Sequence, residues 1–131
     1  MLQGKVLRVA RPTDNLKEVI EFYTKGLGLE ILDKFQNHEG FDGVMVGFPG
    51  AAYHLEFTNH RGYSVGNAPT ADNLLVFYLP NRAEWHGAIS RMKNAGYEPV
   101  PSYNPYWDKQ GLTFADPDGY RVVIQNDVWD L

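Results

Sequence analysis

One pattern occurs twice in this chain. Asn15 stands where it can cap a helix, with Glu18 three places on to complete a capping box, and Leu16, Val19, Ile20, Tyr23 and Leu27 follow at helical spacing until Gly26 and Gly28 stop them. Asn81 and Glu84 repeat the cap 66 positions later, ahead of Trp85, Ala88, Ile89 and Met92 on one face and Gly96 as the stop. Each predicts an amphipathic helix, the first of about three turns. Strand-like stretches flank both helices: 5–10, then 29–35, 44–48 and 53–57, and again 73–79, then a weaker 97–100, 112–115 and 120–125. The order β, α, β, β, β therefore occurs twice, which reads as an internal duplication joined by the Gly/Pro/Asn-rich linker 59–72. A half-domain of about 60 residues buries little on its own, so the two modules are expected to share one domain.

Composition narrows the chemistry. The net charge of −4 and pI near 5.5 argue against a phosphate-neutralising or polybasic membrane surface, so neither nucleic acid nor membrane is an expected partner. With no cysteine, disulfides, thiol nucleophiles and Cys-based zinc sites drop out, leaving His, Asp and Glu for any metal. The longest apolar run, 74–79, is far below the roughly 18 residues of a membrane span, and charges at Lys5 and Arg8 interrupt any signal region; a cytoplasmic location is expected.

Several strings have an ordinary structural reading. Gly62-Tyr63-Ser64-Val65-Gly66 matches a nucleophile elbow, but Pro69 and a strand follow where a helix is required, so a linker with turn glycines is the better reading. Asp116-Pro117-Asp118-Gly119 offers two carboxylates and reads as a tight turn. His54-Leu55-Glu56 sets His54 and Glu56 on one face of a strand. Tyr103, Tyr106 and Trp107 crowd the loop 102–108, which suits either a pocket rim or a cover for the open end of a sheet.

Two βαβββ modules in tandem, Phe22-Tyr23 before Gly26-Leu27-Gly28-Leu29-Glu30, and the closing hairpin Asp116-Pro117-Asp118-Gly119-Tyr120 together resemble the vicinal oxygen chelate superfamily, and within it small glyoxalase-like bacterial proteins of the YycE kind. That superfamily includes glyoxalase I, the bleomycin-resistance binding proteins, the fosfomycin thiol transferases and the extradiol dioxygenases. The resemblance implies an α+β fold of the glyoxalase/bleomycin-resistance type: two tandem βαβββ modules, about 1–58 and 73–131, whose curved mixed sheets enclose a cavity with helices outside. It also implies a homodimer, with modules paired within one chain or exchanged between chains.

In metal-dependent members, ligands sit on the first and fourth strands of each module; those places correspond to Arg8, Glu56, Leu74 and Val123, of which Glu56 alone is a ligand type. The resemblance thus implies no cofactor, with Arg8 either standing where the ion would be and pairing with Glu56, or forming a structural ion pair across the sheet. The implied function is metal-independent binding of a small molecule, such as a drug or toxin to be sequestered. Arg8, His54, Glu56, Leu74, Tyr78, Trp107, Arg121 and Val123 are the expected ligand contacts. Two alternatives stay open. One is a lyase, thiol transferase or dioxygenase using one divalent ion (Mn, Ni, Zn or Fe) held through His54 and Glu56 with His38 or His60, and Glu56 as its catalytic group. The other is a dimeric structural or regulatory protein with a vestigial cavity.

Overall fold

The computed structural model describes residues 4–130. In chain order it contains β1 (Leu7–Pro12), α1 (Leu16–Glu21) continuing into a π turn (Phe22–Gly26), β2 (Glu30–His38), β3 (Phe41–Gly47), β4 (Tyr53–His60), β5 (Leu74–Tyr78), α2 (Arg82–Asn94), a 3-10 turn (Pro105–Asp108), β6 (Gly111–Ala115) and β7 (Arg121–Gln125). Sheet one runs β1-β4-β3-β2 and sheet two β5-β7-β6, so β1 and β5 are edge strands. Each pairs with its neighbour in parallel, and the other pairings are antiparallel.

The duplication is visible in the elements, with two local departures. The stretch 97–100 is not a strand. Val100 alone bridges Thr113, because Pro99 and Pro101 on either side have no N–H to give a ladder. The caps also differ. Asn81 accepts from the Glu84 N–H at 2.9 Å as expected, whereas Asn15 makes no side-chain cap; its Nδ2 donates instead to Asp118 Oδ1 at 2.8 Å, a partner 103 residues away.

Alternation decides what is buried. Val9, Leu55 and Phe57 of sheet one point to the same side as Val19, Phe22 and Tyr23. Leu75, Phe77, Val122 and Ile124 of sheet two point toward Ile89 and Met92 of α2. All belong to one continuous core, so the modules share their interior. Close approach requires a glycine at Gly111, where a Cβ would meet the Ile124 carbonyl oxygen at 2.8 Å, and leaves little room at Gly26, where it would meet Met92 Sδ at 3.0 Å and the Tyr97 ring at 3.1 Å.

A polar junction also crosses between modules. Asp116 Oδ2 accepts from the Tyr23 hydroxyl at 2.8 Å and from Arg11 Nη1 at 3.4 Å, while Oδ1 accepts from the backbone N–H groups of Asp118 at 2.8 Å and Tyr120 at 3.1 Å. The Arg11 guanidinium lies 3.7 Å from the Tyr120 ring centroid. Burial pushes the Asp116 carboxyl above its usual range, against the pull of the Tyr23 and Asp118 hydrogen bonds and the Arg11 charge. Burial, with the neighbouring Asp116 charge, pushes the Tyr23 phenol well above its usual value. The Asp-Pro-Asp-Gly turn is therefore also a junction between modules.

The linker is held down by one carboxylate. Asp14 accepts from the Ser64 hydroxyl at 2.9 Å and from the N–H groups of Val65 at 2.9 Å and Gly66 at 2.8 Å, which lowers its pKa. Ser64 is thus engaged as a donor in a loop contact.

Candidate functional site

Parallel pairing of β1 with β4 sets Arg8 beside His54 and Ala10 beside Glu56. These side chains occupy the face of sheet one away from the core, because their odd-numbered neighbours Val9, Leu55 and Phe57 fill the core side. There Arg8 Nε donates to His54 Nε2 at 2.8 Å, and Arg8 Nη1 lies 3.5 Å from Glu56 Oε2. The arginine side chain is 47% exposed and the glutamate 13%, which makes this a half-open ion pair. A histidine accepting at Nε2 carries its proton on Nδ1. The pairing of Arg8 with Glu56 that the family resemblance offered is present, with His54 as the nearer partner of Arg8.

The other expected contacts lie on sheet two and its loop. Leu74 pairs with Arg121, Val76 with Val123 and Tyr78 with Gln125. Val123 is fully buried. Arg121 Nη1 donates to the Pro101 carbonyl at 2.7 Å, tying the segment after α2 to β7. Trp107 is half-buried on the 3-10 turn, edge-on to Tyr106 at 4.9 Å, while Tyr103 and Tyr106 are exposed. Leu74 is half-buried on the β5 edge.

A cavity of about 610 Å³ opens beside the two edge strands, on the core side of sheet one and along both faces of β5. Leu7, Val9, Tyr53 and Leu55 line it from sheet one, Leu75, Val76, Phe77 and Tyr78 from β5, and Leu27, Leu29 and Ala88 from the helical layer. Its walls are aliphatic and aromatic, and the side-chain polar groups on them are the hydroxyls of Tyr53 and Tyr78. Burial raises the Tyr53 pKa, so its hydroxyl stays protonated and available as a donor. Of the expected ligand contacts, Tyr78 lines this cavity; Arg8, His54 and Glu56 occupy the opposite face of their sheet. Tyr53, Leu55, Leu75 and Phe77 were not singled out from the sequence. Their signal is the odd-numbered set on the same strands, which reads equally as core.

The residues do not fit the divalent ion that the fold's metal-dependent members hold. Of Arg8, Glu56, Leu74 and Val123, one offers a lone pair to a cation, and the guanidinium already engages His54 Nε2 and approaches Glu56 Oε2. Among the described residues no three His, Asp or Glu side chains gather as a metal site. His60, a candidate third ligand, is stacked between Phe41 at 4.1 Å and Tyr63 at 4.0 Å, and His38 packs edge-on to Phe35.

Comparison with known proteins agrees with the fold. The family model of the YycE-like N-terminal domain matches residues 7–58 and that of the YycE-like C-terminal domain residues 72–126. The chain is 49% identical over 124 residues to the uncharacterized protein YycE of Bacillus subtilis (strain 168), covering 95% of this chain and 89% of that one. The crystal structure of B. subtilis YycE superposes with a TM-score of 0.89 at 48% identity, over 98% of this chain and 93% of that one. Leishmania major glyoxalase I superposes at 0.72 with 21% identity, over 95% and 88% of the two chains. TnmS3, an antibiotic binding protein from Streptomyces sp. CB03234, superposes at 0.67 with 18% identity, over 95% and 97%. The last two show the shared fold. Among the described residues no helix is long and apolar enough to cross a membrane.

Proposed function

Since the chain belongs to the YycE-like family and has the glyoxalase/bleomycin-resistance fold, we propose that it is a metal-independent binding protein for an uncharged, largely apolar small molecule, acting in the cytoplasm. The observation that carries this reading is the cavity of about 610 Å³, whose side chains include no charged group. Such a lining discriminates against ions, which would be desolvated without compensation, and favours a hydrophobic body with one or two polar atoms for Tyr53 and Tyr78. Sequestration of a drug- or toxin-like molecule suits a site of this kind, and the fold also carries an antibiotic-binding protein.

The test is titration with an uncharged fluorophore, N-phenyl-1-naphthylamine. Saturable fluorescence enhancement is expected for the native chain, and its loss in Ala88→Trp, which fills the cavity from α2. No enhancement, or enhancement unaffected in a folded Ala88→Trp variant, would overturn the reading. The protein is also proposed to work as a homodimer, since Val6 and Leu7 leave apolar side chains exposed along the free β1 edge. Light scattering should give twice the 14.9 kDa chain mass; a monomer across the micromolar range would reject the dimer.

A further inference from the structure

The misfit between the Arg8 cluster and a metal has a geometric content. A divalent ion on this face would need the lone pairs of His54 Nε2 and Glu56 Oε2. Arg8 has taken the first with its Nε–H at 2.8 Å and points Nη1 at the second from 3.5 Å. We propose that Arg8 is a built-in cation that closes a latent metal site, and that a ligand side chain in its place would make this face a two-histidine, one-carboxylate centre.

The backbone supports the geometry such a centre needs. Residues 8 and 54 are paired on adjacent parallel strands and share one face, and Glu56 follows two places along β4 on that same face. Three side chains therefore converge from two strands. Ala10, paired with Glu56, brings only a methyl to the neighbouring position. Two imidazoles and a carboxylate on one side of an ion, with the other side open, is an arrangement that first-row divalent metals accept. In the native protein a +2 ion would also meet the guanidinium charge at contact distance, a repulsion that water screens incompletely around a glutamate 13% exposed. Arg8 itself is 47% exposed on an edge strand, so exchanging it leaves the core untouched.

The experiment uses the full chain and cobalt(II) and zinc(II) alone as probes. Binding is followed by the visible absorption of cobalt and by calorimetric competition with zinc, on native protein, Arg8→His, Arg8→Ala, and Arg8→His combined with Glu56→Gln. The expected order of affinity is Arg8→His, then Arg8→Ala, then native. Arg8→His should take one ion per chain about 100-fold more tightly than the native protein, and should lose about 10- to 100-fold when Glu56 is also changed. Native protein binding as tightly as Arg8→His, with the ion lost on His54→Ala, would show that Arg8 does not close the site. Arg8→His and Arg8→Ala both folded, by circular dichroism, and both binding no more tightly than native would show that the convergence is not there. If Arg8→His does not fold, Arg8→Ala against native decides the closure by itself. None of these readouts depends on occupancy of the apolar cavity, so this inference and the proposed function fail separately.

Discussion

Replacing Asp116 by Ala should be among the most damaging single changes available outside the apolar core. The carboxylate accepts from four donors: the Tyr23 hydroxyl, Arg11 Nη1, and the backbone N–H groups of Asp118 and Tyr120. Its side chain is 1% exposed and that of Arg11 13%, so water cannot readily replace it. Removing one partner of a buried ion pair costs about 3–5 kcal/mol, because the remaining cation stays desolvated. Tyr23→Phe deletes the hydrogen bond that the hydroxyl donates to Asp116 and the longer one, 3.4 Å, that it accepts from Arg11 Nη1, but leaves Asp116 three donors, so it should cost about 1.5–3 kcal/mol. Urea melts at neutral pH measure both, read as midpoint shifts with the slope unchanged. An Asp116→Ala midpoint within about 1 kcal/mol of native would refute the junction as a source of stability.

The same junction sets a pH signature. Tyr23 has a folded pKa raised well above 10.0, so its contribution is complete below pH 10 and is lost as pH rises toward and through the folded value. Native protein should lose stability above pH 10 more steeply than Tyr23→Phe. Asp116 is also raised, from 3.8, so its share is complete below 3.8 and falls as pH rises through its folded pKa. Replacing it should therefore cost more under acidic conditions than at neutral pH. Parallel slopes for native and Tyr23→Phe between pH 9 and 11 would contradict the alkaline half of this account.

Three further outcomes are expected. Glu56→Ala should cost less than about 1 kcal/mol in a urea melt, because Arg8 is half in water and keeps His54; a loss near that of Asp116→Ala would mean the pair is buried in solution. Gly26→Ala should lower stability by about 1–3 kcal/mol in a thermal melt, since Met92 and Tyr97 must retreat from the new methyl, and an unchanged midpoint would show that they yield freely. Thr113 Oγ1 is buried without a hydrogen-bond partner, so the near-isosteric Thr113→Val should be neutral or stabilising by about 1 kcal/mol; destabilisation would point to a partner for that hydroxyl.

Much of the fold can be read directly from residue order, because its signals are local. Asn81 with Glu84, the helical spacing from Trp85 to Met92, and the period-two strands such as Tyr53 to Phe57 need only their own neighbours to form. The family resemblance carried that reading further: it set Arg8 and Glu56 at corresponding places on the first and fourth strands, which are paired, while alternation along His54-Leu55-Glu56 put His54 on the face of Glu56.

Other features depend on where distant segments come to rest. That His54 is the nearer partner of Arg8 follows from the parallel register of β1 on β4, which a separation of 46 positions along the chain does not reveal. Asn15 looks like a cap, yet it makes no side-chain cap and its Nδ2 donates to Asp118, a partner that the packing of the second module delivers. Asp116 reads as a turn residue from its neighbours, and it is the packing of one module on the other that delivers Arg11 and Tyr23 to it. Alternation along a strand states which residues share a face, but not which face will meet water, the core or an opening. The sequence by itself determined the repeated elements and the side-chain chemistry. The docking of one module against the other decided that the apolar opening lies opposite Arg8, since a strand's two faces are equivalent until something packs against one of them.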